Sequence, residues 1–194
     1  MDQHSLIDDR HKAEAILEGH ARECYGRVAY SHKTHEKCAD ILLTRLGRVK
    51  LIQIALSGAT TAGFVSIVFG AGAVGAVIGV TVSALLLAVN AYTKDYDLGE
   101  LAQKHRQAAT ELWVIRERYL ALLVDVRMGE RPLDELLRVR DKLLDELHAA
   151  YVGAPSTNFA AYKKAQKSLR KWEDMTFSDG EIDAFLPQEL KRNR

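Results

Sequence analysis

Between Leu51 and Thr93 lie 43 consecutive residues without a single Asp, Glu, Lys or Arg. All 27 basic and 26 acidic residues of the chain fall outside this run, so the mean hydropathy of −0.15 averages one oily segment with two very polar ones, and the net charge is only +1. A balanced charge gives no global pull toward nucleic acid or anionic lipid. The run divides at Gly70 to Gly75. Leu51 to Phe69 is 19 residues, about 28 Å of helix, and Val74 to Thr93 is 20, about 30 Å. Each length matches the hydrocarbon core of a bilayer.

Two readings compete for this segment. Gly70-Ala71-Gly72-Ala73-Val74-Gly75 is a literal G-x-G-x-x-G after an apolar run, and Asp95 and Asp97 stand near the distance at which a dinucleotide fold places its acid. That fold also needs a helix and a second parallel strand, and the stretch between Gly75 and Asp95 has room for little more than one element. It leaves the charge-free stretch before Gly63 unexplained as well. Two membrane-spanning helices joined by a tight turn explain the whole run. Nine Leu, Ile, Val or Phe residues fall in each half, and at roughly −0.3 to −0.6 kcal/mol each they favour insertion by a few kcal/mol per span. Arg45, Arg48 and Lys50 precede the first span and Lys94 follows the second. The positive-inside rule then puts both termini in the cytoplasm. A buried helical hairpin inside a soluble bundle is the remaining rival.

The flanks read as helix. Leu17, Ala21, Cys24, Val28, Ser31, His35, Cys38, Leu42, Leu46 and Val49 recur at spacings of three and four within a helix over residues 8–50. After Lys94 a second seam runs through Leu98, Leu101, His105, Ala108, Leu112, Ile115, Tyr119, Leu122 and Val126. Gly129 to Pro132 ends it; a helix over 132–152 carries Leu133, Leu136, Leu137, Leu143, Leu144 and Leu147, with Pro132 in its first turn. A basic helix follows over 156–173, and Ser178-Asp179-Gly180-Glu181 is a capping box that opens a last turn before Pro187. The expectation is an all-α membrane protein in four parts. Residues 1–50 form a cytoplasmic helix and 51–93 the transmembrane hairpin. Residues 94–152 close an antiparallel bundle, and 153–194 carry the basic helix and tail. The charge-dense first fifty residues predict no secretory signal peptide, and two isolated cysteines predict no disulfide framework.

This layout resembles the SLATT domain, the SMODS and SLOG-associating two-transmembrane effector. A charged helix carrying "YSHKTHEKCADILLTRLGRVK", two close spans and the long helix "LAQKHRQAATELWVIRERYLALLVDV" carry the resemblance over most of residues 10–150. The tail "YKKAQKSLRKWEDMTFSDGEIDAFLP" is similar to the subgroup found near reverse transcriptases. The resemblance implies a non-enzymatic, oligomeric, pore-forming or membrane-disrupting effector of bacterial antiphage defence and abortive infection. It implies an inner-membrane location and a trigger from a nucleotide-sensing or reverse-transcriptase partner. It carries no catalytic motif, no cofactor and no metal site across.

Polar residues inside the spans are the candidate path. Gln53, Ser57 and Thr60 share a face of the first helix, with Thr61 beside them; Ser83 and Asn90 share one of the second. Counted outward from Gly72, Gln53 and Asn90 lie at one depth near the cytoplasmic surface, and Thr61 and Ser83 at another near mid-membrane. In a homo-oligomer they would form polar rings; singly, they bond their own helices or each other. Gly72, Gly75, Ala76 and Gly79 form a small-residue ladder suited to helix packing. An antiparallel fold centred on Gly72 places His35, Cys38 and His105 at nearly one height, as a polar layer that fixes register rather than a metal site. Lys163, Lys164, Lys167, Arg170 and Lys171, with Tyr162 and Trp172, are a candidate contact for phosphate, nucleic acid or a partner, or else a solvated face. A membrane-anchored adaptor that recruits nucleic acid or a polymerase is the alternative function. A soluble helical nucleotide-binding protein with a buried apolar hairpin is the other.

Overall fold

A computed structural model of the chain describes residues 3–171, 176–187 and 191. The described residues form helices and no strand: α1 (Gln3–Ser66), a π-helical turn (Ile67–Ala71), α2 (Gly72–Asp95), α3 (Leu98–Met128), α4 (Leu133–Gly153), α5 (Phe159–Lys171) and α6 (Asp179–Phe185). The missing sheet removes the dinucleotide-binding reading, since the glycine motif has no strand to follow. The chain clusters into two compact units. One combines residues 1–37 with 108–194, and the other is residues 38–107.

The first unit is built on three apolar helix faces. Leu17, Ala21, Cys24 and Val28 of α1 pack with Leu112, Ile115, Tyr119, Leu122 and Val126 of α3 and with Leu136, Leu143 and Ala150 of α4. On each helix these positions follow the three-and-four spacing that keeps one stripe facing inward. Arg118 of α3 pairs with Glu146 of α4, and that hydrogen bond lowers the Glu146 pKa. Gly129 takes φ +68° at the end of α3, a conformation that costs glycine little. Arg10 donates to the carbonyls of Gly129 and Arg131 at 3.3 and 3.2 Å, which gives partners to backbone groups of the α3–α4 connection. Pro132 stands at the N-cap, one residue ahead of the expected first turn. Leu144 points outward, and Ala150 takes an inward place the leucine pattern did not mark.

α5 starts at Phe159, three residues later than its sequence pattern. Asn158 Oδ1 accepts from Ala161 N at 2.9 Å and starts the helix there. Small residues, Ala161, Ala165 and Ser168, form its buried side. α6 opens with the expected capping box, Ser178 and Glu181 each accepting the other's backbone N–H. Trp172 and residues 192–194 lie outside the described residues.

In the second unit, Cys38, Ala39, Leu98, Ala102 and His105 are buried. Ala102, not the expected Leu101, occupies the inward position after Leu98. From Leu98 to His105 a helix can step by four then three as well as by three then four, and the smaller Ala102 takes the inward place. Asp97 Oδ1 accepts from Gly99 N and Glu100 N, both at 2.9 Å, as the N-cap of α3. Arg106 pairs with Asp40 at 3.2 Å. Arg45 donates to the Tyr92 hydroxyl at 2.8 Å and lies over its ring.

His32 in the first unit is buried. Among the described residues its Nδ1 has no hydrogen-bond partner, and its Nε2 is 3.8 Å from Glu36. Burial pushes its pKa down, as do Arg116 and Lys33; Glu36 and Glu117 oppose them. The fold therefore prefers neutral imidazole. Stability is full above the unfolded value of 6.5 and is lost as pH falls from there toward the depressed folded value. The melting temperature of the purified chain is expected to drop between pH 7 and 5, and His32→Leu to flatten that slope. A second expectation concerns packing. Leu143→Ala should destabilise the first unit by about 2–5 kcal/mol and Leu144→Ala by far less, as read by denaturant unfolding.

Candidate functional site in the apolar hairpin

The hairpin turns on two glycines. Gly70 has φ +98° and Gly72 φ +53°, both in the region that side chains with a Cβ avoid. Gly72 meets open space where a Cβ would be, so its place is the turn and not the helix contact. The contact is made by Gly63, Gly75 and Gly79. A Cβ on Gly63 would stand 3.0 Å from the Gly79 Cα, and one on Gly75 would overlap the Ser66 hydroxyl and lie 3.3 Å from the Gly63 carbonyl oxygen. Backbone thus meets backbone, the geometry that small residues permit between spans. Ala76 is half-buried beside them. Gly63 was not among the expected packing residues; its role depends on a partner sixteen positions away.

The rest of the hairpin faces away from its own chain. Two helical stretches are long and apolar enough to cross a bilayer, with mean hydropathies of 1.7 and 2.3, and only 6% and 11% of those windows is buried. Val68 and Phe69, at the tip, are 83% and 85% exposed. A hairpin buried in a soluble bundle would show the opposite. Exposed apolar surface on this scale needs a non-aqueous neighbour.

The polar residues of the spans divide into two kinds. Gln53 Nε2 donates to Asn90 Oδ1 at 2.8 Å and is 3.4 Å from Thr93 Oγ1, so the two amides do lie level and bridge the helices. Thr60 and Thr61 donate instead to carbonyls of their own helix, Leu56 and Ser57, at 2.9 and 3.0 Å. Ser57, Thr61, Ser83 and Asn90 are exposed on the hairpin surface; Gln53 and Thr60 are half-buried. Lys50, Gln53, Ser57 and Asn90 share an open groove of about 530 Å³ with Ile54 and Leu86. The groove is cationic at one end, carries amides at its middle and is apolar at its sides. It brings three of the six candidate path residues together.

The other candidates lie elsewhere. His35 is buried in the first unit, and Cys38 and His105 are buried in the second; burial lowers the His105 pKa. Among the described residues no group of three His, Cys, Asp or Glu is arranged to hold a metal ion. On α5, Lys163, Lys164, Lys167, Arg170 and Lys171 are all exposed. Lys163 sits over the Phe159 ring at 4.8 Å and Arg170 donates to the Tyr30 hydroxyl at 3.0 Å.

The glycine contact is asymmetric, and that can be tested. Gly79 has more room than Gly63, with its nearest neighbours 3.8 Å or further from an added Cβ. Gly79→Ala should change the melting temperature in detergent by little. Gly63→Val should force the spans apart and lower it by several degrees.

A family model describing the SMODS and SLOG-associating 2TM effector domain, family 4, matches residues 17–181. Among curated proteins none matches the chain, and among solved structures none does. The match covers the charged helix, both spans and the helices that follow. The chain therefore belongs to the family of SMODS and SLOG-associating two-transmembrane effector domains.

Proposed function

We propose that this effector acts by opening a leak in the bacterial inner membrane. Several copies would place their hairpins side by side in the bilayer, with both termini cytoplasmic, and the polar stripe of each hairpin would line a path for ions. A cytoplasmic nucleotide-sensing or reverse-transcriptase partner would supply the trigger during phage infection. The observation that carries this reading is the exposed hairpin with its Gln53–Asn90 bridge and the Lys50–Ser57 groove. A plain anchor needs apolar length only. An amide pair within the apolar run is costly in lipid, and it is retained where helices or water meet it.

Expression with the partner is expected to collapse the membrane potential, read with a voltage-sensitive dye. The Gln53→Leu, Asn90→Leu double variant should stay in the membrane after carbonate washing yet leak far less. A retained potential in cells with the unaltered chain and its partner would sink the pore. The exposed cations of α5 favour a second reading, an anchored adaptor that recruits nucleic acid or a polymerase. An adaptor keeps its function when the spans are replaced by a Leu/Ala hairpin, and it gives no ion flux in liposomes.

A further inference from the structure

The first unit contains a cleft that the membrane reading does not use. Its inner part, about 350 Å³, lies between α1, the α4–α5 connection and the start of α5. Tyr30, Tyr151 and Tyr162 line it, with Thr34 and His35 on the α1 wall and Ser156 and Thr157 on the connection. The outer part shares the three tyrosines and continues along α1 past Arg27 and Glu23 to Arg22.

Each part has a distinct chemistry. The waist is aromatic: the Tyr30 and Tyr162 ring centroids are 6.0 Å apart, and Tyr151 is tied to α1 by a 2.6 Å hydrogen bond to the Ser31 hydroxyl. Arg170 holds the Tyr30 hydroxyl from the other side. These rings are therefore positioned before any ligand arrives. The inner end offers the Ser156 and Thr157 hydroxyls, which have no protein partner among the described residues. The connection that carries them runs from the end of α4 to the Asn158 cap of α5. The outer end offers two guanidinium groups. Their present partners are carboxylates one turn away on the same helix, Glu23 for Arg27 at 2.8 Å and Glu18 for Arg22 at 3.7 Å. Such exposed pairs are weak and exchange readily for a phosphate, which guanidinium binds in a two-pronged fashion.

We propose that this cleft binds a nucleotide, with the base against the tyrosine rings, the sugar or base edge on Ser156 and Thr157, and the phosphate on Arg27 and Arg22. Aromatic faces accept any base by stacking, and guanidinium selects the phosphate. A neutral sugar would leave the arginines unused, and an apolar ligand would leave the hydroxyls unpaired. The cavity volume is at the lower end of the range of about 300–1,000 Å³ usual for small-molecule sites. The site stands whether or not the hairpin conducts.

The test is binding to the purified full chain in detergent, by calorimetry with ATP and, separately, with a short single-stranded thymidine oligonucleotide. Saturable binding below about 1 mM is expected, and the tighter probe tells a free nucleotide from a strand. Arg27→Gln and Tyr162→Ala should each weaken binding at least tenfold with an unchanged melting temperature. Glu23→Gln, which removes the competing carboxylate, should tighten it several-fold. Thr157→Val, at an exposed position that cannot unfold the helices, should weaken it too. Failure of both probes to bind at millimolar concentration would overturn the site. So would affinities indifferent to Arg27, Tyr162 and Thr157.

Discussion

Everything in the hairpin depends on how closely two backbones approach at Gly63, Gly75 and Gly79. In lipid there is no hydrophobic gain from bringing helices together, so association rests on close packing and on hydrogen bonds between helices. A 3.0 Å limit at Gly63 means that the helices touch where they have no side chains. That contact sets the register, and the register sets which polar residues meet. Gln53 reaches Asn90 because the two positions are equidistant from a turn made of Gly70 and Gly72. One added methyl group at Gly63 disturbs the contact, and with it the level of the amides.

Much of this was legible in the sequence, for identifiable reasons. The charge-free run, its spanning lengths and its central glycines are one-dimensional properties, and so are the stripes at Leu17 to Val28 and Leu112 to Val126. Capping residues act locally, so Ser178 to Glu181 could be read directly. What escaped depends on tertiary partners. Between Leu98 and His105 either Leu101 or Ala102 could face inward, and the structure puts Ala102 there, a small residue that hydropathy undervalues. Gly63 looks like any span glycine until Gly79 is opposite it. Gly72 looks like a packing residue until its φ of +53° assigns it to the turn. The cleft of Tyr30, Tyr151 and Tyr162 joins residues more than a hundred positions apart through a connection without periodicity, so no window along the chain could show it.

The two kinds of polar group in the spans also bear on how a path would form. Thr60 and Thr61 spend their hydrogens on their own helix, as Thr81 does on the Val77 carbonyl at 2.8 Å. Those hydroxyls carry little cost in lipid and bind nothing across a gap. The amides differ, because Gln53 bonds Asn90 across the hairpin and lies 3.4 Å from Thr93 Oγ1, and each amide has further donors and acceptors. Amide donors and acceptors at a membrane boundary are met by water or by other polar groups. Lys50 stands at one end of the groove, and Ile54 and Leu86 line it beside the amides. A second hairpin laid against the apolar sides would leave the amides facing one another along a wetted line. In the proposed pore, the arrangement that gives the amides further partners would also be the one that makes a polar path, so that assembly and permeability would share one physical cause.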